Sequence, residues 1–201
     1  MFDVLIIGGG VSGMSCALVL GSAKKKAFVT DKKIGIIAHQ KTSALQEALI
    51  NNAYGIPAGK LGAELLSESI QHLSETYPHV SQIFDEKVLK IEGEFLNFSV
   101  ITNKNTYKTK SIVVGIGSAN TFAIEGLTQF IEPHQKALPE KQRIQLKNND
   151  HKVAEGIYVI GVLAGWRSQV AIAAGSGAAV ATDILTLWNG GIQTHAHDST
   201  R

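Results

Sequence analysis

An almost wholly apolar run leads straight into a cluster of glycines at the start of this chain. Residues 2–7 read Phe-Asp-Val-Leu-Ile-Ile, which is typical of a parallel strand buried on both faces. Gly8, Gly10 and Gly13 follow in the pattern G-x-G-x-x-G, and residues 11–20 have helical composition. Gly8 would permit a tight turn, Gly10 would let a phosphate approach the backbone, and Gly13 would bring the helix close to the sheet.

A second strand is predicted at residues 27–30, and it ends on Asp31, eighteen residues beyond Gly13. An acidic side chain at the end of this strand can accept hydrogen bonds from ribose hydroxyls and would repel a 2′-phosphate. The alternative, a glycine-rich turn with a structural role only, leaves the strand–turn–helix–strand context unexplained. We therefore predict that the chain binds an adenine dinucleotide.

Length and charge limit the other classes of protein to consider. With 201 residues, 44% of them hydrophobic, the chain can form one domain with a sizeable core. The formal net charge is only +2, so no nucleic-acid partner is expected, and the run Lys24-Lys25-Lys26 is interpreted as a solvated loop. Polar and charged residues interrupt the apolar stretch at 157–185, so no membrane span is expected.

Cys16 is the only cysteine in this sequence. A single cysteine excludes an intramolecular disulfide, a C-x-x-C redox pair and a multi-cysteine zinc site, and Cys16 is predicted to be a small buried side chain. No signal peptide is recognised, because the first apolar run belongs to the glycine motif, and a cytoplasmic protein is expected. A single domain is predicted at residues 1–190, and residues 191–201 are predicted to be a polar, disordered tail. His195 and His197 lie in that tail, so no metal site is expected.

The rest of the chain alternates helix and strand patterns around a short antiparallel meander. The predicted segments are a helix at 59–77, meander strands at 87–92, 94–102 and 106–110, buried strands at 112–117 and 156–161, a short strand at 143–146 after a loop at 132–141, and a Gly- and Ala-rich helix at 168–187. No second G-x-G-x-x-G motif occurs in this sequence. One dinucleotide site is therefore expected.

These elements resemble the FAD domain of the low-molecular-weight thioredoxin reductases and related flavoproteins. Residues 8–13 with Asp31 are similar to the pyrophosphate loop and ribose-binding acid of that family. Residues 52–57 are similar to its Asn-aromatic-Pro-Gly stretch, 114–117 to its Ala-Thr-Gly motif, and 155–161 to its second FAD motif. The resemblance implies an α/β fold, a Rossmann-like three-layer FAD-binding domain with a central parallel sheet and a small antiparallel β-meander.

The resemblance also implies roles for individual residues. Asn52 would approach the flavin ring, Gln40 would contact the ribityl chain, and the backbone of Val88 would meet the adenine edge. The helix beginning near Ser168 would direct its positive end at the flavin and stabilise negative charge on the reduced ring. The predicted FAD-binding residues are Gly8, Gly10, Val11, Ser12, Gly13, Asp31, Lys32, Gln40, Asn52, Val88, Gly115, Gly117, Gly161, Val162, Ser168, Gln169 and Val170.

Two features depart from the family pattern. The second motif of the family reads Gly-Asp, whereas Gly161 is followed here by Val162, which cannot accept the corresponding hydrogen bond. Such a loss costs about 1 kcal/mol, or up to about 3 kcal/mol if the partner stays buried and unpaired. The family also inserts an NADPH domain with a catalytic C-x-x-C after the Ala-Thr-Gly motif, and residues 118–155 carry no such pattern.

We therefore expect an FAD-dependent oxidoreductase without its own NADPH domain or dithiol, which receives electrons from a nicotinamide nucleotide, another small molecule or a protein donor. His39 is the best candidate for a proton donor, Arg167 could meet the flavin or an anionic substrate, and Trp166 could cover the flavin. Each of the three could instead be an ordinary surface or packing residue. The resemblance also implies a homodimer.

A non-catalytic flavin-binding redox sensor, or a subunit that works with a partner protein, is the alternative function. A short-chain dehydrogenase would need Tyr-x-x-x-Lys for proton transfer. The residues four past the four tyrosines are Ala58, Ser81, Ser111 and Val162, so this class is excluded.

Overall fold

The protein has an α/β fold around one central sheet, and its computed structural model describes residues 1–39 and 43–197. In chain order the elements are β1 (Val4–Ile7), α1 (Val11–Ser22), β2 (Ile34–Ile37), β3 (Leu49–Ile50), β4 (Lys60–Leu61), α2 (Gly62–Thr76), β5 (Val80–Ile83), β6 (Val88–Glu92), β7 (Phe98–Thr102), β8 (Thr106–Thr109), β9 (Ile112–Val114), β10 (Ile131–Pro133), β11 (Ile144–Leu146), β12 (Lys152–Ala154), β13 (Ile157–Val159) and α3 (Val170–Trp188).

The central sheet has the strand order β12-β13-β9-β1-β2-β5. Five of these strands, β13, β9, β1, β2 and β5, run parallel, and β12 joins the end of the sheet as an antiparallel hairpin partner of β13. The carboxyl ends of the five parallel strands therefore meet at one edge, which we call the carboxyl edge. Their amino ends meet at the opposite edge, the amino edge.

Side chains of β1 alternate between two separate cores, which explains why its sequence is apolar at successive positions. Val4 and Ile6 pack with residues of α1, α2 and α3 on one face of the sheet. Leu5 and Ile7 pack with the antiparallel β6-β7-β8 meander on the other face. The molecule therefore has three layers, with helices above the sheet and the meander below it.

Helices α1 and α3 approach each other closely because small residues face each other along the contact. A Cβ atom added at Gly177 of α3 would overlap the carbonyl oxygen of Ser12 in α1. The Ser15 hydroxyl donates a hydrogen bond of 2.8 Å to the Ala174 carbonyl oxygen. The Gly- and Ala-rich composition of α3 thus serves close packing between the two helices.

Helix α3 is also long and apolar enough, by length and composition alone, to span a membrane. A helix in a protein core meets the same criterion, and α3 contributes Val180, Ala181, Ile184 and Leu185 to the helix-side core. Residues beyond it fold back onto the molecule, since Ala196 packs against the same core and the Thr194 N–H donates to Thr186 Oγ1 at 3.3 Å.

The predicted fold class is confirmed, and most predicted elements occur within a few residues of their expected bounds. The second strand is the main error. Residues 27–30 form turns, in which Val29 N–H donates to Lys26 and Lys32 N–H donates to Val29, and the strand lies at Ile34–Ile37 instead. This later run pairs with both β1 and β5 and is buried at all four positions.

Five further strands were not predicted, namely β3, β4, β5, β10 and β12. Strand β5, with the sequence Val-Ser-Gln-Ile, is short and has only Val80 buried, so its composition carries little strand signal. Strand β10 falls at the start of the segment predicted as loop, and it pairs antiparallel with β11. Pro133 is the last residue of β10, which belongs to a sheet of only two strands. Proline has no backbone N–H, and edge strands tolerate this loss.

Because α1 and α3 pack closely, we expect alanine substitutions at Gly177 and Gly175 of α3 to have opposite effects on stability. Gly177→Ala should lower the free energy of unfolding by about 1–3 kcal/mol, the usual cost of overpacking. Gly175→Ala is the matched control, because no atom lies within 4 Å of a Cβ at Gly175, and it should be neutral or stabilising by up to about 1 kcal/mol. Urea unfolding measures both values, and equal stability of the two variants would contradict the close packing.

Candidate functional site

The first wall of the candidate site is the turn at the carboxyl end of β1. Gly8 has φ +117°, a backbone conformation that favours glycine, and its N–H donates to the Ile37 carbonyl oxygen at 3.0 Å. A Cβ at Gly8 would overlap the Gly115 carbonyl, and a Cβ at Gly13 would overlap the Gly8 carbonyl. These close approaches hold the start of α1 directly over the carboxyl edge.

Gly10 differs from its neighbours because the space around it is open. It is the residue before α1, it has φ −75°, and no side chain caps the helix. No atom of the protein lies within 4 Å of a Cβ built at Gly10. The first N–H groups of a helix have no intrahelical acceptor and carry partial positive charge, so this open position is suited to a phosphate group.

The second wall consists of the glycines that follow β9 and β13. Gly115 N–H donates to the Ile7 carbonyl oxygen at 2.8 Å, and Gly161 N–H donates to Ser176 Oγ in α3 at 2.7 Å. Gly161 has φ +68°, and a Cβ there would come within 2.8 Å of Ser12 Oγ. The ends of three adjacent strands are therefore joined to both helices, with Ser12 between them.

The start of α3 brings a second helix N-terminus to the same edge. Gln169 precedes α3 in extended conformation, with φ −135°, and again no side chain caps the helix. Trp166, Arg167, Ser168 and Gln169 are exposed. A flat group bound at this edge would meet the positive end of the helix dipole.

Most of the predicted site residues converge on the carboxyl edge, and their contact with a cofactor stays a prediction. Those placed there are Gly8, Gly10, Val11, Ser12, Gly13, Gly115, Gly117, Gly161, Val162, Ser168, Gln169 and Val170. Asn52 is exposed in the connection between β2 and α2, and Val88 is 7% exposed at the start of β6. Gln40 lies outside the described residues.

Asp31 and Lys32 lie at the wrong end of β2 for a ribose contact. Both precede the strand, so they lie at the amino edge, where Lys32 Nζ is 3.8 Å from Asp3 Oδ1. The residues that follow β2 at the carboxyl edge are Ala38 and His39. The predicted location of Asp31 is therefore wrong, and the position expected to hold an acidic side chain is occupied by Ala38, which has no side-chain acceptor.

His134 is a site residue that sequence reasoning missed. Its Nε2 lies 2.9 Å from the Val162 carbonyl oxygen, and its Nδ1 accepts the Lys136 N–H at 3.1 Å. A carbonyl can only accept, so the neutral ring carries its proton on Nε2. His134 thereby ties the β10–β11 hairpin to the segment after β13. No sequence motif identifies it, because the two residues are joined only through tertiary structure.

Comparison with known proteins identifies the family. A family model described as pyridine nucleotide-disulphide oxidoreductase matches residues 2–177. The chain belongs to this family. Ferredoxin–NADP reductase of Levilactobacillus brevis is 27% identical over 186 residues, which cover 92% of this chain and 50% of that protein. The corresponding protein of Streptococcus mutans is 24% identical over 180 residues, with 90% and 48% coverage. The chain thus spans about half the length of these curated relatives.

Solved structures have the same fold. An oxidoreductase from Agrobacterium tumefaciens superimposes with a TM-score of 0.72 at 14% identity, covering 92% of this chain and 98% of that one. A thioredoxin reductase from Gloeobacter violaceus gives 0.71 at 15% identity, with 100% and 99% coverage. These identities are low, so the structures support the fold alone.

The cofactor of this flavoprotein oxidoreductase is FAD. The residues present fit the pyrophosphate part of this cofactor, since Gly10 leaves open space beside an uncapped helix N-terminus. Two positions fit less well, because neither Ala38 nor Val162 has a side-chain acceptor for the sugar parts. The fit therefore depends on backbone groups and helix dipoles more than on side-chain hydrogen bonds.

Alanine substitutions at Gly10 and Gly13 should separate an effect on cofactor binding from an effect on the stability of the fold. Gly10→Ala should leave the unfolding free energy of the apoprotein within about 0.5 kcal/mol, because its φ and surroundings admit a Cβ, yet weaken FAD binding roughly tenfold or more. Gly13→Ala should destabilise the apoprotein by about 1–3 kcal/mol. Flavin fluorescence titration and urea unfolding provide the two readouts. Unchanged FAD affinity of Gly10→Ala would show that the pyrophosphate does not pass this residue.

The position of Asp31 gives a second prediction. Asp31→Asn should leave FAD affinity within about twofold of the wild type, because the residue lies at the amino edge and surface substitutions usually change free energies by no more than about 0.5 kcal/mol. The same titration measures it, with Gly10→Ala as the variant that responds. A tenfold loss in Asp31→Asn would place the ribose at the amino edge and contradict the strand assignment.

Proposed function

We propose that this chain is the FAD-binding part of an oxidoreductase that transfers electrons from a nicotinamide nucleotide or a protein donor to an acceptor. The observation that carries the proposal is the pairing of two uncapped helix N-termini, those of α1 and α3, at the same edge of the sheet. Gly8, Gly115 and Gly161 hold these helix ends against three neighbouring strand ends. This arrangement suits an extended ligand with phosphates at one end and a charge-accepting ring at the other.

The residues of the chain bind and orient this ligand. The first turn of α1 would hold the pyrophosphate by its N–H groups, with Gly10 allowing close approach. The first turn of α3 would place a partial positive charge, about half an elementary charge, beside the ring. FAD supplies a ring that accepts and donates electrons. A positive helix end stabilises the reduced flavin ring, which is more negative than the oxidised ring. Helix α3 would therefore make the oxidised flavin easier to reduce.

In this proposal the chain does not itself carry out thiol–disulfide exchange. Cys16, the single cysteine of the sequence, is fully buried, and burial raises the pKa of its thiol. A protonated, inaccessible thiol is a poor nucleophile. The chain would therefore not reduce a disulfide by dithiol exchange on its own.

The packing of the segment between β9 and β13 is an argument for an electron donor that is separate from this chain. Its strands β10 and β11 form a two-stranded sheet, and Ile124, Leu127 and Leu146 pack into the meander-side core. In this proposal the segment is part of the core and does not carry a separate nucleotide domain. The donor would then bind as a free nicotinamide nucleotide or arrive on a partner protein, and a homodimer contact could shield the exposed flavin.

The proposal is tested by an absorbance spectrum of the purified protein and anaerobic addition of NADH, then NADPH. Flavin bands at roughly 370 and 450 nm should be present, and one nicotinamide nucleotide should bleach them. Bands that persist with both nucleotides but disappear with dithionite would favour the alternative, a redox sensor or a subunit reduced by a partner. A protein that is colourless and fails to take up added FAD would overturn the proposal. Gly10→Ala, with its weakened binding, is the control for site-bound flavin.

A further inference from the structure

We propose that His134 positions the turn after β13 for the cofactor only while its ring is neutral, so that FAD binding is coupled to the loss of a proton from His134. The turn is Gly161–Ala164, and we call it the Val162 turn. It follows β13 at the carboxyl edge. The inference rests on the proposed function, because it concerns the same FAD site, and it adds a response to pH.

The Val162 turn is attached to both helices of the site. Gly161 N–H donates to Ser176 Oγ of α3 at 2.7 Å, and Ser176 is 6% exposed. A Cβ at Gly161 would come within 2.8 Å of Ser12 Oγ in α1. These contacts fix the first residue of the turn, and the rest of the turn depends on other support.

The β10–β11 hairpin and the residues that follow it support the rest of the turn at three points. His134 Nε2 lies 2.9 Å from the Val162 carbonyl oxygen. Asn148 Nδ2 donates to the carbonyl oxygen of the last residue of the turn at 3.3 Å. Gln145 Oε1 lies 2.6 Å from the position that a Cβ would take at Gly165. Of these three side chains, only the histidine changes its charge between about pH 5 and 8.

The Val162 carbonyl oxygen is the point at which the turn and the hairpin are joined. It accepts the Gly165 N–H at 3.0 Å, which closes the turn, and it accepts the hydrogen on His134 Nε2. A carbonyl oxygen has two lone pairs, so both are in use. Loss of the histidine bond would leave the turn closed but detached from the hairpin at Val162.

Both ring nitrogens of His134 are engaged when the ring is neutral. Nε2 donates to Val162, and Nδ1 accepts the Lys136 N–H at 3.1 Å. A second proton would have to occupy Nδ1, where it would face the Lys136 N–H instead of accepting it. The residue is only 8% exposed, and a charged group is costly to bury. Protonation therefore removes one hydrogen bond and drives the ring toward solvent, away from Val162.

The charged side chains around His134 do not compensate for a charge on its ring. Those of the hairpin and of the segment after the Val162 turn are Glu132, Lys136, Glu140, Lys141, Arg143 and Arg167. In residues 1–39 and 43–197, which the structure describes, none of these six forms an ion pair. Glu132 instead accepts the Gln145 Nε2 hydrogen at 2.7 Å, and Lys136 Nζ lies 4.7 Å from the Trp166 ring centroid.

The direction of the pH effect follows from these contacts. FAD binds the form in which neutral His134 holds the Val162 turn, so binding favours loss of the proton. Affinity is then highest above the pH range in which histidine becomes charged, and it falls as the pH is lowered through that range. One linked proton changes affinity by at most about tenfold per pH unit, so we expect a loss of roughly three- to tenfold between about pH 7.5 and 5.5.

Two conservative variants separate the two hydrogen bonds of the ring. His134→Gln places an amide donor near the position of Nε2, so it keeps the bond to Val162 and cannot become charged. His134→Asn places an amide oxygen near the position of Nδ1, so it keeps the acceptor for Lys136 N–H and loses the bond to Val162. A role in local packing alone would give the two variants similar FAD affinities.

Flavin fluorescence titration of the full chain with FAD at several pH values measures the coupling. His134→Gln should bind FAD within about threefold of the wild type at about pH 7.5 and lose no affinity toward about pH 5.5, whereas His134→Asn should bind roughly tenfold more weakly at both. The matched control is His151→Asn. His151 is also buried, but its Nδ1 bonds the Val159 carbonyl oxygen of β13, so this variant should keep the wild-type pH dependence. Equal pH dependence of wild type and His134→Gln, or unchanged affinity of His134→Asn, would overturn the inference.

A measurement on the apoprotein separates this inference from the proposed function. In ¹H–¹⁵N NMR spectra, the amide signals of Lys136 and Gly165 should titrate together in the wild type and in His151→Asn, and neither should titrate in His134→Gln. A Gly165 signal that stays in place while Lys136 titrates would show that the charge of His134 does not affect the turn, and would overturn the inference. If both amides titrate but the wild type fails to bind FAD, the proposed function is wrong, whereas the control of the Val162 turn by His134 stands.

Discussion

The close approach of backbone to backbone around Gly8 is the constraint on which the rest of this structure depends. A Cβ at Gly8 would overlap Gly115, and a Cβ at Gly13 would overlap Gly8, so β1, β9 and α1 meet within van der Waals contact. Such packing excludes water and leaves the N–H groups of α1 facing outward at the carboxyl edge. The same glycines that close the core therefore fix an uncapped helix N-terminus at the carboxyl edge, so a substitution at Gly8 or Gly13 would change the stability of the fold and the geometry of this edge together.

Ser12 extends this constraint to the second helix and the second motif. Its carbonyl oxygen lies where a Cβ of Gly177 would be, and its hydroxyl lies within 2.8 Å of a Cβ position at Gly161. Gly161 in turn donates to Ser176 of α3. One small buried residue thus limits, through its backbone carbonyl and its hydroxyl, how close both helices and the turn at Gly161 come to one another. A ligand that spans the two helix ends is held by a rigid frame, which reduces the ordering cost of binding.

The sequence was sufficient for the fold class and for the glycine turns that follow β1, β9 and β13, because backbone requirements of this kind are local and leave a clear pattern. It was insufficient for the ribose position. Residues 27–30 and Ile34–Ile37 are both apolar and close together, and only pairing with β1 and β5 on either side decides which becomes the strand. Choosing the run that ended on an acid led to Asp31. His134 was missed for a related reason, since its partner Val162 is distant in sequence.

The bond from His134 to Val162 gives a physical account of how the second motif can function with valine in place of aspartate. An acidic side chain at this position would accept a hydrogen bond from the cofactor. Here the loop is oriented from outside, because His134 Nε2 binds the Val162 carbonyl and the β10–β11 hairpin holds His134 in place through the Arg143 carbonyl. The loop is thereby held without an acidic side chain, and in the proposed FAD site the missing acceptor would cost about 1 kcal/mol. The segment after β9 therefore orients the loop that carries Val162 as well as contributing to the core.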